Sequence, residues 1–405
     1  MNRKGSIYFL TLSSAALLMT MVLGLSVMIM KQRRVARAAA HVDEATICAE
    51  LGIRHALYFT KEAPNWRSLL TSGSWLDSIP NGPAIYNVTG IDTIDGNLQD
   101  SSSDPVQLTC TATVGNVQRT LRLQTEQPPS ILLNYAVAAG GNINIAGTGK
   151  IIGNATSNGN IVKTVLNTLI VGDAEAAGTV PTTSGITGAV LQNGEAKSFP
   201  DPQSIIDYYI ARATVIGYID RMDGVLLSPT NNPFGPVNAD GLYVIDCANQ
   251  PFLIKNCRIV GTLILKKAIS NDSNSKVEQG VNWRPARPDY PALIIDGGSY
   301  NIFADRDLQE LNEGVDMSLP GEPGFGNVGE IYPNEIKGTI YCVGNLNVGE
   351  VSVIKGSTIV TGSITISDNA SATHDTVVVD NPQMQFRDSY LAPVANSWQE
   401  VMPVN

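Results

Sequence analysis

The spacing of hydrophobic positions changes several times along this chain, and each change marks an element. From Ser6 to Met30 no charge interrupts an apolar run. As a helix it would be about 37 Å long, enough to cross a bilayer with some tilt. A cleaved secretory signal has an apolar core of only about 7–15 residues, and a soluble core helix is rarely hydrophobic on every side for this length, so the run reads as an anchor. The helical pattern continues through Lys31, Arg33, Arg34 and Arg37 to about Phe59, with no proline and with Gly52 as its one glycine. In this second half Val35, Ala39, Val42, Thr46, Ala49, Ile53 and Ala56 recur at alternating steps of four and three. Such spacing makes one narrow stripe of small and apolar side chains, suited to close packing on a sheet or a neighbouring helix. It is too poor in Leu and Ile for a strong coiled coil.

Period two takes over later. Residues 61–104 are rich in proline, serine and aspartate and read as loops. Val106 to Val114 then alternates, with Leu108, Cys110, Ala112 and Val114 on one face; Gly115-Asn116 turns the chain, and Val117 to Gln124 returns as the second strand of a hairpin. Gln127-Pro128-Pro129 cannot continue a strand and marks a domain boundary.

Beyond it lies a faint repeat. Gly141-Asn142-Ile143 recurs 18 residues later as Gly159-Asn160-Ile161; Gly344-Asn345-Leu346 as Gly362-Ser363-Ile364; and Ile336-Lys337-Gly338 as Ile354-Lys355-Gly356. A fixed period with alternating Ile and Val and with Gly or Asn at the turns is the signature of a solenoid, about six residues on each face of a three-sided coil. Asp201 to Met222 interrupts it and reads as a helix, with Asp201 as N-cap and Pro202 in the first turn. Strands resume at 242–246, 252–265 and 292–303, separated from the last rungs by polar loops at 267–290 and 304–335. The expected fold is therefore mostly β (α+β): a long N-terminal transmembrane helix packed on a small antiparallel sheet, then a parallel β-solenoid (β-helix). The expected divisions are 1–30, leader and membrane helix; 31–128, helix extension plus sheet; and 130–405, solenoid with a helical insertion at about 201–222.

The N-terminus resembles that of type IV pilin-like precursors of the minor-pilin or pseudopilin sort. The resemblance rests on the short basic leader Arg3-Lys4-Gly5, the apolar helix from Ser6 and its continuation into a further domain. The hairpin around Val114-Gly115-Asn116-Val117 is similar to the sheet that packs on such helices. The resemblance implies cleavage between Gly5 and Ser6. Many members carry Glu at the fifth mature position, where this chain has Leu10. The X component of pilus assembly and the K component of secretion pseudopili share that departure, which implies a tip or priming subunit rather than a major one. Separately, Gly338 to Leu346 resembles the rungs of bactofilin-like polymer-forming scaffolds.

Composition narrows the function. Charged residues are 16% of the chain, the formal net charge is −10, and no basic cluster occurs outside 31–37, which argues against nucleic acid as a partner. The five cysteines form no CxxC, and three histidines leave little for a zinc site. In an exported compartment Cys48, on the helix, and Cys110, on a strand, form the candidate disulfide. The alternative for all five is a buried, apolar role.

Catalytic constellations are sparse. A polysaccharide-cleaving β-helix needs paired carboxylates or a base against a metal-bound acid. The chain has no Asp-Asp pair, and Asn238–Asp240 lies in a Pro- and Asn-rich stretch suited to turns. His374 is a loop residue. Asp305, Asp307, Glu310, Glu313 and Asp316 could offer hard oxygen ligands to Ca²⁺, at a spacing that matches no known ligand loop. The expectation is thus no catalytic, cofactor or metal residue. The chain reads as a non-enzymatic, single-pass protein of the cell inner membrane, with its C-terminal domain exported to the periplasm or cell surface. The cations flanking the anchor do not decide orientation; the β-rich cargo does. Expected partners are the membrane, pilin-like subunits or further copies of itself, and a glycan or surface ligand. Rival readings are a membrane-tethered carbohydrate-active β-helix and a polymer-forming scaffold.

Overall fold

The computed structural model describes residues 3–63, 65–99, 104–164, 168–269 and 275–401, with side chains from Tyr8 onward. The leader start at 1–2, Pro64 and the loop run 100–103 lie outside the described residues. The chain divides into two compact units, Met1–Gln127 with Tyr390–Asn405, and Pro128–Ser389. The solenoid unit therefore ends at Ser389, not at residue 405: the last segment returns to the first unit.

The first unit is built on one helix, α1 (Arg3–Glu62), and a four-stranded antiparallel meander, β1 (Gly73–Asn81), β2 (Ala84–Asp92), β3 (Val106–Val114) and β4 (Val117–Glu126). The expected hairpin is present, with Val114 paired to Val117 across Gly115-Asn116. Gly115 has φ +57°, the left-handed conformation that a two-residue turn requires. β1 and β2 replace what reads as loop. β2 alternates cleanly, burying Ala84, Tyr86 and Val88, so its signal was available. β1 is irregular: its register shifts twice, Ser78 has φ +52°, and it contains Pro80. An edge strand tolerates such features because one side of its backbone needs no partner. On the far edge, Ala392–Pro393 and Gln399–Val401 pair antiparallel with β4, and the Leu391 N–H donates to Thr60 Oγ1 at 3.2 Å. The exposed edge is thus covered by the end of the same chain.

The second unit is a three-faced parallel β-solenoid. Along its first face the strands stack in the order 214–216, 242–246, 262–266, 293–295, 340–342, 358–360, 137–139, 155–157, 174–176 and 190–191. The 18-residue repeats are rung-to-rung partners: Ile336 pairs with Ile354, Leu346 with Ile364, and Ile143 with Ile161. Spatial order nevertheless departs from sequence order. Ile364 pairs with Ile143 across 221 residues, so the first rungs of the sequence stack on the last. The chain enters mid-stack, winds out to 191, crosses back and winds in again to 373.

The crossover contains the helix Pro202–Ile210, shorter than the expected 201–222. Asp201 caps it, accepting from the Ser204 N–H at 2.9 Å. Beyond Ala211 the β-branched run Thr214-Val215-Ile216 becomes a strand of the terminal rung. The helix covers the first face: Ile205, Ile206 and Tyr209 pack with Leu242, Ile264 and Ile294 on its outer side. This explains why these strands read as unbroken apolar runs, buried on both sides, whereas strands such as Ile364–Ile366 alternate. Residues 276–284, expected to be loop, form another strand.

Corners repeat as well. A Cβ on Gly362 would meet Gly344, one on Gly141 would meet Gly362, and one on Gly159 would meet Gly141. Beside this glycine column runs a side-chain ladder. Asn345 Oδ1 accepts the Ser363 N–H at 2.8 Å, Ser363 Oγ the Asn142 N–H at 3.0 Å, and Asn142 Oδ1 the Asn160 N–H at 2.8 Å. Each bond satisfies a corner donor that the sheet leaves unpaired.

Candidate functional site: the anchor helix and its packing face

Gly5 and Ser6 lie at the start of α1, within the helix. From Tyr8 to Met30 the helix touches nothing else, and its large apolar side chains are exposed, Leu10 at 70%. This stretch begins the one described helix long and apolar enough to cross a membrane. Its hydroxyls are satisfied locally: Ser13 Oγ donates to the Leu10 carbonyl at 3.1 Å, Thr20 Oγ1 to Leu17 at 2.9 Å and Ser26 Oγ to Val22 at 2.8 Å. Back-bonding of this kind lets Ser and Thr sit in hydrocarbon without an orphaned donor.

The second half of α1 packs on the meander through Ala45, Cys48, Ala49, Ile53 and Ala56. Ala49, Ile53 and Ala56 are the expected stripe; Val35 is 69% exposed, so the stripe stops short of the membrane end. The closest approach is at Gly52, where a Cβ would fall against Cys110 Sγ and lie 2.8 Å from the Tyr86 ring. Tyr86 Oη is hydrogen-bonded to His55 Nδ1 at 2.8 Å.

Cys48 and Cys110 share this core, but both are free thiols, as are Cys247, Cys257 and Cys342. The expected Cys48–Cys110 disulfide is therefore not formed. Each side chain is used otherwise: Cys110 Sγ packs where Gly52 makes room, and Cys48 Sγ faces the Asn81 amide at 3.8 Å. Burial pushes the thiols of Cys110, Cys247, Cys257 and Cys342 up to about 12, which keeps them protonated and inert.

The other sequence candidates have structural partners. Glu310 is fully buried and accepts from the N–H groups of Met317, Gly329 and Glu330 at 2.7–3.0 Å and from Tyr332 Oη at 2.9 Å. Burial opposes its ionisation, but these donors prevail and hold its carboxyl below the usual range. Asp316 accepts from Ser318 and Gly326, and Asp307 from Asn334. The acidic loop thus spends these carboxylates on its own backbone. Asn238 Oδ1 accepts the Asp240 and Leu242 N–H groups, a turn, while Asp240 pairs with Arg287 at 3.2 Å. His374 Nε2 is bonded to the Leu133 carbonyl at 2.9 Å.

No protein-family model and no curated protein matches the chain. Among solved structures it is similar to the competence-associated pilin ComZ from Thermus thermophilus, at 13% identity, covering 89% of this chain and 97% of that one, with a TM-score of 0.32. It is also similar to a glycosylated ice-binding protein from an Arctic yeast, at 10% identity, covering 62% and 94%, with a TM-score of 0.32. An ice-binding protein from an Antarctic biological consortium matches at 11% identity, 60% and 90% coverage and a TM-score of 0.28. Superpositions this loose carry no inference about function.

Sequence reasoning noted Gly52 but gave it no role. Its signal was the one glycine after the apolar run of the helix, a position where a glycine costs stability unless something must come close.

Proposed function

We propose that this is a non-enzymatic, membrane-anchored envelope protein of the pilin-like kind. Its leader is removed after Gly5, leaving Ser6 as the mature terminus. Residues 6–30 serve first as anchor and then as the surface that packs among filament subunits, and the solenoid is displayed outside the cytoplasm. The observation that carries the reading is the split character of α1: bare and apolar from Tyr8 to Met30, then pressed by small residues onto an antiparallel meander. Leu10, rather than a carboxylate, near the mature terminus fits a tip or priming subunit better than a repeated one.

The test is intact mass and N-terminal sequencing of the native, membrane-extracted protein. A chain beginning at Ser6 is expected; one that retains Met1 would overturn pilin-type processing.

A second reading, end-to-end self-association of the solenoid as a scaffold, draws support from its two outermost first-face strands. They leave Val215 68% and Leu191 51% exposed. Sedimentation of residues 128–389 as a monomer at high concentration would remove it. A carbohydrate-cleaving role would require turnover of a glycan panel that is lost in Asp240→Asn or Asp246→Asn, and none is expected.

A further inference from the structure

The stretch 304–335 of the solenoid unit is long for a connection with little regular structure, and such loops in a compact fold are mostly functional or disordered. This one is braced. Glu310 gathers the N–H groups of Met317, Gly329 and Glu330, and Glu322 accepts the Leu319 N–H at 2.9 Å and pairs with Arg258 at 2.6 and 3.0 Å. Beneath it Leu226, Leu308 and Met317 make a small core of their own. A loop held this firmly still leaves Phe325 54% and Val315 38% exposed, so its own core uses neither. Both border a groove of about 540 Å³ between the loop and the turn that follows the strand Leu226–Leu227. Val225, Val315, Pro320 and Phe325 give the groove apolar walls, and Thr230, Asn231 and Asp316 give it hydrogen-bonding groups. Size and mixture are those of a small-molecule site.

The polar groups are set in place by the backbone. Asp316 Oδ1 accepts the Ser318 N–H at 2.9 Å and Oδ2 the Gly326 N–H at 2.7 Å. These bonds fix the carboxylate, hold it below the usual carboxylate range and leave each oxygen a further lone pair. Asn231 Nδ2 donates to the Leu226 carbonyl at 2.6 Å, which leaves its Oδ1 and a second N–H. Thr230 Oγ1, 3.2 Å from Ser228 Oγ, both donates and accepts. No Lys or Arg is among the described lining residues. A second carboxylate stands at the Gly224 edge, where a Cβ would lie 3.1 Å from Glu313 Oε2. Anionic ligands are therefore disfavoured. Donors beside acceptors suit hydroxyls, each of which gives and takes a hydrogen bond, whereas a cation would use the acceptors alone.

We propose that this groove binds a neutral saccharide, with Phe325 packing on the sugar ring and with Asp316, Asn231 and Thr230 hydrogen-bonding its hydroxyls. The electron-rich face of the phenyl ring meets the C–H face of the sugar, which is apolar although its rim is polar. The proposal rests on the reading of the solenoid as a displayed module only for its setting. Binding is measured on the chain whether it begins at Met1 or at Ser6, so neither result decides the other.

The test is calorimetry on the full-length protein in a detergent without a sugar headgroup. The probes are maltose, cellobiose, lactose and N,N′-diacetylchitobiose, with glucuronic acid and choline as the anionic and cationic comparisons. At least one disaccharide should bind once per chain, with a Kd of about 1 mM, and bind more tightly than either comparison. Phe325→Ala, at an exposed position, should leave the melting temperature unchanged and weaken that binding about tenfold. Thr230→Val, which keeps the shape and removes the hydroxyl, should weaken it about threefold. Failure of all four disaccharides, unchanged affinity in Phe325→Ala, or tighter binding of glucuronic acid would overturn the site. Choline binding that Phe325→Ala abolishes, in place of sugar binding, would make the groove a cation site and overturn the saccharide.

Discussion

The two units of this chain hold themselves together in opposite ways. The first depends on a single event, one helix docking on one face of a meander, and the helix meets that face largely through small side chains, with Ala45, Ala49, Gly52 and Ala56 setting the distance. The second spreads its stability along a stack in which each rung contacts mainly its neighbours. Its exception is the joint where Thr358–Val360 and Ile364–Ile366 meet Val137–Ala139 and Ile143–Ile145, which the chain reaches only after going out to one end and back. A docked helix is vulnerable at its closest contact. A solenoid is vulnerable where its spatial neighbours are far apart in sequence, because closing that joint costs the loop entropy of the whole excursion.

Three changes bear on that contrast, from the largest expected effect to the smallest. Ile364→Ala removes a fully buried side chain from the joint and should cost about 4 kcal/mol by denaturant unfolding, as cavities in tight cores do. Hydrogen exchange should then lose protection first at residues 143–145 and 364–366; uniform loss along the stack would erase the distinction. Truncation after Ser389 strips the cover from β4 together with the buried Leu391, worth about 2–3 kcal/mol of apolar burial. Its loss of exchange protection should be confined to β4 and the helix around Thr60, and a matching loss in the solenoid would show that the units are not independent. Gly52→Ala should cost about 2 kcal/mol by overpacking Cys110 and Tyr86, read as a lower melting temperature with unchanged solenoid exchange. A neutral Gly52→Ala would mean that the helix can lift off the sheet at no expense, and the single-docking picture would fail.

Much of this was legible from local pattern. The apolar run to Met30, the hairpin turning at Gly115-Asn116 and the 18-residue register of Ile336 with Ile354 all follow from spacings within a few dozen residues. The helix after Asp201 was legible at its start, where a cap and a proline announce it, and not at its end. There the apolar positions of Thr214–Ile216 continue a helical spacing while belonging to a strand. The acidic stretch at 305–316 attracted notice by composition, although Asp307, Glu310 and Asp316 accept backbone N–H groups of residues 317–334.

The sequence by itself determined the periods of the long N-terminal helix, of the β3–β4 hairpin and of the 18-residue rungs, and that an apolar run leads into small-residue packing. Periods are set by side-chain spacing on a local backbone, and a linear chain displays them directly. Only the tertiary structure decided that the first rungs stack upon the last, that residues 392–401 return to cover β4, and that Gly52 lets Cys110 come close. Rungs of one period and one side-chain alphabet are interchangeable as neighbours, so nothing local distinguishes the next rung in sequence from a rung 221 residues away. The crossover helix buries its apolar face along the first face of that stack, a contact the linear sequence does not display.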